Sequence, residues 1–330
     1  MTDTQLRPMG RSGVHASAIG LGTWAIGGTF WGGTDEQDSI RAIQASIDSG
    51  VSLIDTAPGY GNGLAEELVG KAIKGRRDAV VIATKCGLNW HHGKGGFFFE
   101  QQGERIHRYL GRDGIRYEVE QSLRRLGTET IDLYITHWQD PTTPVAETME
   151  TLLDLKREGK IKAIGISNAT PADLDAYLAV GQVDAIQESY SMLDRGVEAT
   201  LLPICAKNDV AMLSYSSLAL GLLTGTVSPQ RQFKDDDLRK DNPRFSAQNR
   251  RHVAAFAAAV APIARAHGAT IAQLVIAWTI AQRGITYALC GARNAGQAIE
   301  NALAGKLKLT PDELLQIDDA IAEHLGNVRS

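Results

Sequence analysis

Eight short apolar runs punctuate the chain, each long enough for a strand and too short for a helix of ordinary length. They are ASAIGLGT (16–23), VSLIDT (51–56), AVVIATK (79–85), IDLYITHW (131–138), IKAIGISN (161–168), VDAIQES (183–189), VAMLSYS (210–216) and ITYALCG (285–291). Their apolar residues are continuous rather than alternating, as in parallel strands covered on both faces. Helix-like stretches fall between them. Thr34 to Gln37 reads as a capping box, and Gly50 closes the helix that carries Ile40, Ile43 and Ile47. Thr143-Pro144 opens a helix with Met149, Leu152 and Leu153 that ends at Gly159. Thr170-Pro171-Ala172-Asp173 and Thr310-Pro311-Asp312-Glu313 repeat the same kind of start. Eight strands alternating with helices predict an α/β fold, a (β/α)8 TIM barrel, with residues 1–330 as a single domain.

Two connections exceed what such a barrel needs. Residues 86–112, which include NWHHGKGGFFFEQQ, follow the third strand, and the polar residues 217–245 follow the seventh. Both should lie at the mouth formed by the strand C-termini, as lids, binding segments or packed surface excursions. Residues before 16 are expected to form a small hairpin plugging the opposite end.

Composition narrows the class. A hydrophobic fraction of 43% and a charged fraction of 22% are those of a soluble globular protein. A net charge of −4 gives no electrostatic case for a nucleic-acid partner. The three cysteines, Cys86, Cys205 and Cys290, form no CxxC pair, which argues against a disulfide framework or a zinc site. The start, MTDTQLRPMG, lacks the apolar centre of a secretory signal. No run approaches the roughly 18 apolar residues of a membrane span, so a cytoplasmic location is expected.

The polar residues that close the runs carry the chemistry. Asp55 ends the second run, Tyr60 follows in the loop TAPGYGNG, Lys85 ends the third, and His137 lies near the end of the fourth. Singly, Asp55, Lys85 and His137 read as a loop cap, a surface charge and a satisfied core histidine. Jointly, at strand ends that converge on one mouth, they suggest a tyrosine proton donor whose pKa an ammonium lowers, with Asp55 holding Lys85 and His137 orienting a carbonyl. A second set suits a nicotinamide. Ser167, Asn168 and Gln187 could pair with a carboxamide, and the Tyr215 ring could stack on a flat heterocycle. After the eighth run, Gly291-Ala292-Arg293-Asn294 leads into a helix containing Gln297 and Asn301, an arrangement suited to a phosphate. The segment Gly20-Leu21-Gly22-Thr23-Trp24-Ala25 matches a dinucleotide fingerprint, but no helix follows its glycines, so a Rossmann unit is rejected.

The segments GLGTWAIGG, LIDTAPGYGNGLAEELVGKAI, VIATK, DLYITHWQDP, LKREGKIKAIGISN, YSSLALGLLTG and GARNAGQAIEN, spread over residues 20–301, resemble those of the aldo-keto reductase superfamily. The GTWAIGG start and the GAR ending look like its bacterial glyceraldehyde- and sugar-reductase-like branch. The resemblance implies an NADP(H)-dependent enzyme that reduces aldehydes or ketones, small hydroxyaldehydes or sugar-derived carbonyls, with no metal. It makes Tyr60 the general acid, Lys85 its modulator, Asp55 the partner of Lys85 and also a cofactor contact, and His137 the carbonyl-orienting group. It places Ser167, Asn168 and Gln187 on the carboxamide and Tyr215 on the ring. Thr23 and Trp24 join the cofactor set. Ser216, Ser217, Leu218, Leu220 and Gly221 would track the pyrophosphate, and Gly291, Ala292, Arg293, Gln297 and Asn301 the adenosine 2′-phosphate end. Gln139, Ala65 and Cys290 depart from the pattern, where proline, serine and proline are common. Trp24, Trp31, Trp90 and Trp138 are candidate walls of the substrate pocket. Phe97, Phe98 and Phe99 could form a lid, a subunit contact or a local core. His91, His92 and His107 read as exposed loop histidines rather than metal ligands. Two alternatives keep the fold: a cofactor-sensing subunit resembling those of potassium channels, and a carbohydrate-binding barrel without redox chemistry.

Overall fold

Inside each apolar run, every second side chain turns toward a common axis. Leu53, Ala83, Leu133, Ile135, Ala163, Ala185, Ala211, Leu213, Tyr287 and Leu289 form one buried cluster. The alternate positions, among them Ile54, Ile82, Tyr134, Ile164, Ile186 and Met212, belong to a second cluster with residues of the surrounding helices. Strands buried on both faces this way show continuous apolar runs in sequence.

The computed structural model describes residues 6–329. Eight parallel strands, β1 (Ile19–Gly22), β2 (Leu53–Asp55), β3 (Val81–Cys86), β4 (Ile131–Thr136), β5 (Ile161–Ser167), β6 (Ala185–Ser189), β7 (Ala211–Tyr215) and β8 (Tyr287–Gly291), close a barrel in chain order. Its seam pairs Gly291 of β8 with Gly22 of β1, which in turn lies beside Asp55 of β2. The helices α1 (Glu36–Asp48), α2 (Leu64–Ala72), α3 (Arg112–Leu126), α4 (Val145–Arg157), α5 (Pro171–Val180), α6 (Leu201–Asn208), α7 (Ala247–Ala266), α8 (Ile271–Ala281), α9 (Ala295–Leu303) and α10 (Pro311–Ala320) follow the strands or their connections. Helices start at Thr170 and Thr310 as the sequence predicts, and each start is a capping box. Among the described residues no single helix is long and apolar enough to cross a membrane.

Local expectations differ in four places. Ala18 interrupts the first run. His15–Ser17 pairs antiparallel with Leu6–Pro8, and only Ile19–Gly22 enters the barrel. The cap of α1 is Asp35, whose side chain accepts from Asp38 N–H, while Thr34 turns to the Ser39 hydroxyl. At α4 the cap is Pro144 without a side-chain bond, because Thr143 donates to Asp140 instead. Residues 86–112 are not an irregular loop: Leu88–Asn89, Gly96–Gln101 and Glu104–Arg108 form a three-stranded antiparallel sheet.

The hairpin Leu6–Pro8/His15–Ser17 plugs the N-terminal end of the barrel. Its turn residue Met9 is fully buried within the inner cluster. Arg7 fastens it by donating to the carbonyls of Ile280, Ile285 and Thr286, and its own carbonyl accepts from the Tyr287 hydroxyl at 2.6 Å. Residues 1–5 of the expected plug lie outside the described residues.

Candidate active site

The inward parity that builds the barrel core continues upward into polar residues. Leu53 gives way to Asp55, Ala83 to Lys85, Ile135 to His137, Ala185 to Gln187 and Leu213 to Tyr215. They meet at the C-terminal mouth, where barrels of this kind keep their chemistry.

Lys85 is fully buried. Its Nζ lies 2.9 Å from both carboxylate oxygens of Asp55 and from the Thr56 carbonyl, and 3.0 Å from the Tyr60 hydroxyl. Gln187 Nε2 donates to Asp55 Oδ1 at 2.7 Å. The Tyr60 loop is braced by the loop after β1. A side chain at Gly27 would strike the Tyr60 backbone, and one at Gly61 would strike the Gly27 carbonyl at 2.4 Å. The His137 ring stands edge-on to the Tyr60 ring at a centroid separation of 5.8 Å.

Electrostatics correct one expectation. Burial pushes the Tyr60 phenol above its ordinary range, and the Lys85 ammonium offsets this only in part. Burial also works against the Lys85 ammonium, but Asp55, then Tyr60, more than compensate, and its pKa is raised. His137 is held well below the usual imidazole value by burial and then by Lys85, so it is neutral near pH 7. A nearby ammonium favours the phenolate, but the desolvation that comes with burial opposes it more strongly.

A cavity of about 1040 Å³ opens over these groups and runs to the start of α9. At its near end Ser167 Oγ donates to the Gln187 carbonyl, and Asn168 Nδ2 donates to the His137 carbonyl at 2.8 Å. The Tyr215 hydroxyl donates to Asn168 Oδ1 at 2.7 Å. Gln139, the departure from the proline pattern, donates to the Ser167 carbonyl at 3.0 Å and so ties β4 to β5. In the middle, Ser216, Ala219, Leu220 and Gly221 have positive φ values of 57°, 47°, 57° and 90°. Such strained turns cluster at ligand sites. At the far end Arg293 Nη2 donates to the Gly33 carbonyl, its N–H donates to Gln297 Oε1, and Asn301 Nδ2 donates to the Gly291 carbonyl.

These residues fit a nicotinamide dinucleotide. Amides lie at one end, a turn of exposed backbone in the middle and a guanidinium at the other. Gly22 and Gly291, paired side by side in the lining, leave space there: a Cβ built on either finds no atom nearer than 3.9 Å.

Three predicted positions fall elsewhere. Thr23 is buried, with its hydroxyl on the Asp55 carbonyl, and Ala292 is buried; neither lines the cavity. Trp90 packs on His91, whose ring meets Tyr117, away from the cavity wall. The wall instead takes Phe98 and Phe99 alongside Trp24, Trp31 and Trp138, with Phe98 lying 5.1 Å from Trp138 between ring centroids. Phe97 points out, about half exposed, beside His107. A signal for that hairpin was present in Gln102-Gly103, whose φ values of 52° and 82° suit the tight turns that join antiparallel strands. Residues 217–245 reach the opposite rim: Leu238 N–H donates to the Phe30 carbonyl, and the Arg239 guanidinium lies over the Trp31 and Phe233 rings while pairing with Asp237.

A buried Asp–Lys–Tyr cluster with a neutral histidine, at the mouth of an eight-stranded barrel and opening on a dinucleotide-sized groove, defines a barrel oxidoreductase. The sequence profile of the Aldo/keto reductase family matches residues 18–322, and the chain belongs to that family. It is 40% identical over 309 residues to the NADH-specific methylglyoxal reductase of Escherichia coli, covering 92% of this chain and 94% of that one. Its fold superposes on the glycerol dehydrogenase of Gluconobacter oxydans with a TM-score of 0.87 and 36% identity, covering 100% and 98% of the two chains. An aldo-keto reductase from Klebsiella pneumoniae solved with NADPH gives a TM-score of 0.72 at 30% identity, covering 95% and 94%.

Proposed function

We propose that the protein reduces small aldehydes and ketones to alcohols with NADPH, Tyr60 giving the proton to the carbonyl oxygen. The observation that carries this is the Lys85 ammonium held 3.0 Å from the Tyr60 hydroxyl by a buried Asp55. The cofactor, when bound, supplies the hydride. Tyr60 keeps its proton at neutral pH, as a donor must. As the proton leaves, negative charge grows on the phenolic oxygen, and the fixed ammonium stabilises that charge only then. An interaction stronger in the transition state than before it lowers the barrier. The neutral His137 ring offers an N–H to the same carbonyl oxygen and sets its direction. Asn168, Ser167 and Gln187 orient the carboxamide, Tyr215 lies against the ring, and Arg293 takes the 2′-phosphate, which favours NADPH over NADH.

The aromatic wall of Trp24, Trp31, Phe98 and Trp138 suits compact neutral carbonyl compounds. The names of the relatives, a methylglyoxal reductase and a glycerol dehydrogenase, point the same way. Oxidation of NADPH and of NADH is measured in parallel over methylglyoxal, glyceraldehyde, simple ketones and open-chain sugars. The expected result is turnover of at least one short aldehyde, with a higher kcat/KM for NADPH than for NADH. Tight cofactor binding without turnover of any carbonyl would contradict the reading, and an NADH preference would remove Arg293 from it.

A further inference from the structure

One buried carboxyl stands directly behind the catalytic strands and takes no part in the chemistry just described. Glu118 lies on α3 and is only 4% exposed. Its Oε2 accepts from the Gly87 N–H at 2.6 Å, and its Oε1 has no hydrogen-bond partner among the described residues. The ionisable groups facing it are Arg125 of α3, Glu66 of α2, Cys86 of β3 and Tyr134 of β4. None pairs with it as an ion. Arg125 Nε is engaged by Glu66 Oε2 at 2.6 Å, and Glu66 Oε1 is occupied by the Thr84 hydroxyl. A carboxyl buried without an ion partner is costly, and an apolar side chain of similar volume often replaces such a group without loss of stability.

What Glu118 holds is the peptide between Cys86 and Gly87. The carbonyl of that peptide accepts from the His137 N–H at 2.8 Å, and its N–H goes to Glu118. Lys85 lies one residue before it. Gly87 has a φ of +93°, and a Cβ there would come within 2.5 Å of the Leu110 side chain, so the chain turns sharply at this point. The ladder between β3 and β4 stops at the Cys86–Thr136 pair. Lys85 sits inside that ladder opposite Ile135, whereas His137 lies one residue past its end, and the bond from the His137 N–H to the Cys86 carbonyl is what ties His137 back to β3.

We infer that Glu118 is a positioning residue of the active site: by gripping the Gly87 N–H it fixes the Cys86–Gly87 peptide and, through it, sets Lys85 and His137 against one another. The inference rests on the reduction proposed above for the same site. Displacements of about an ångström can change rates by about a hundredfold, so a backbone clamp of this kind bears on kcat rather than on cofactor affinity.

Three variants test it. Glu118→Gln keeps an acceptor oxygen at the right reach. Glu118→Asp withdraws it by one methylene. Glu118→Met removes it while filling the space. Two readouts are taken on each: kcat with the NADPH dissociation constant, and hydrogen exchange at the amides of Gly87 and His137. We expect Glu118→Gln to stay within about threefold of the parent kcat. Glu118→Asp and Glu118→Met should lose about tenfold or more in kcat while the NADPH dissociation constant stays within about twofold, and both amides should exchange faster. A folded Glu118→Asp or Glu118→Met protein with parental kcat and parental exchange would overturn the inference, as would a Gln variant as impaired as the Met variant. Exchange reads the clamp even where no carbonyl is turned over, so an inactive parent counts against the proposed reaction, whereas unchanged exchange counts against Glu118.

Discussion

At Lys85 four protein oxygen atoms surround one buried ammonium. The Asp55 carboxylate neutralises it, the Thr56 carbonyl directs it, and the Tyr60 hydroxyl is the one neighbour able to change its charge during a reaction. Removing one member of a buried ion pair leaves the other charge uncompensated, at a cost of about 3–5 kcal/mol. Lys85→Met should therefore lower the urea midpoint strongly. The double variant Asp55→Asn/Lys85→Met should recover part of that loss, because neither charge is then left alone. A double variant no more stable than Lys85→Met would show that the pair is not what stabilises this end of the barrel. The identities of Asp55, Tyr60, Lys85 and His137 were legible in the sequence because each closes an apolar run or follows one. The sign of the Tyr60 shift was not. It depends on how completely the fold removes water from the phenol, and nothing local in TAPGYGNG reports that. Gln187 is a similar case: its place near the end of an apolar run is legible, but the hydrogen bond from its side-chain amide to Asp55 joins residues 132 positions apart.

Among the elements, the pairing of α3 with β3 has a pH signature of its own. Burial raises the Glu118 carboxyl from its ordinary 4.5 to about 8, with the Gly87 N–H and then Arg125 offsetting part of the effect. The unfolded chain releases this proton near 4.5, whereas the folded chain holds it to about 8. The contribution of Glu118 to stability is thus fully present at low pH and falls as pH rises through that window. Replacing it by glutamine removes the titration. The stability difference between Glu118→Gln and the parent should therefore grow in favour of the variant from pH 5 to pH 8; a constant difference would mean that the carboxyl titrates normally. Strands were the most legible elements, since continuous apolar runs bounded by glycine and helix caps mark them well. The sheet at 88–108 was missed because its strands carry arginine, histidine and glutamate in place of a buried face. Trp90 was misplaced with it: once the segment folds as a hairpin beside the mouth, Phe98 and Phe99 face the groove while Trp90 turns to His91.

In the molecule as a whole, the two ends of the barrel divide the work. The N-terminal end is sealed by Met9 and fastened by Arg7, and the inner cluster above it is wholly apolar up to the level of Asp55 and Lys85. The C-terminal end gathers its polar residues from seven consecutive connections, β2 through β8, and two long excursions roof it from opposite sides. Asp55 of β2 is bonded by Gln187 of β6, and the groove over them also takes Tyr215 at the end of β7 and Arg293 after β8, so the site is complete only when the barrel is closed. The central claim is that the Tyr60 hydroxyl, poised by Lys85, protonates the carbonyl oxygen. Its most direct test is single-turnover oxidation of NADPH by Tyr60→Phe with a short aldehyde, alongside fluorescence titration of NADPH binding. The account predicts a rate lower by about 10²–10⁴, the worth of a positioned acid, with cofactor affinity unchanged; a Tyr60→Phe protein that turns over at the parental rate would contradict it.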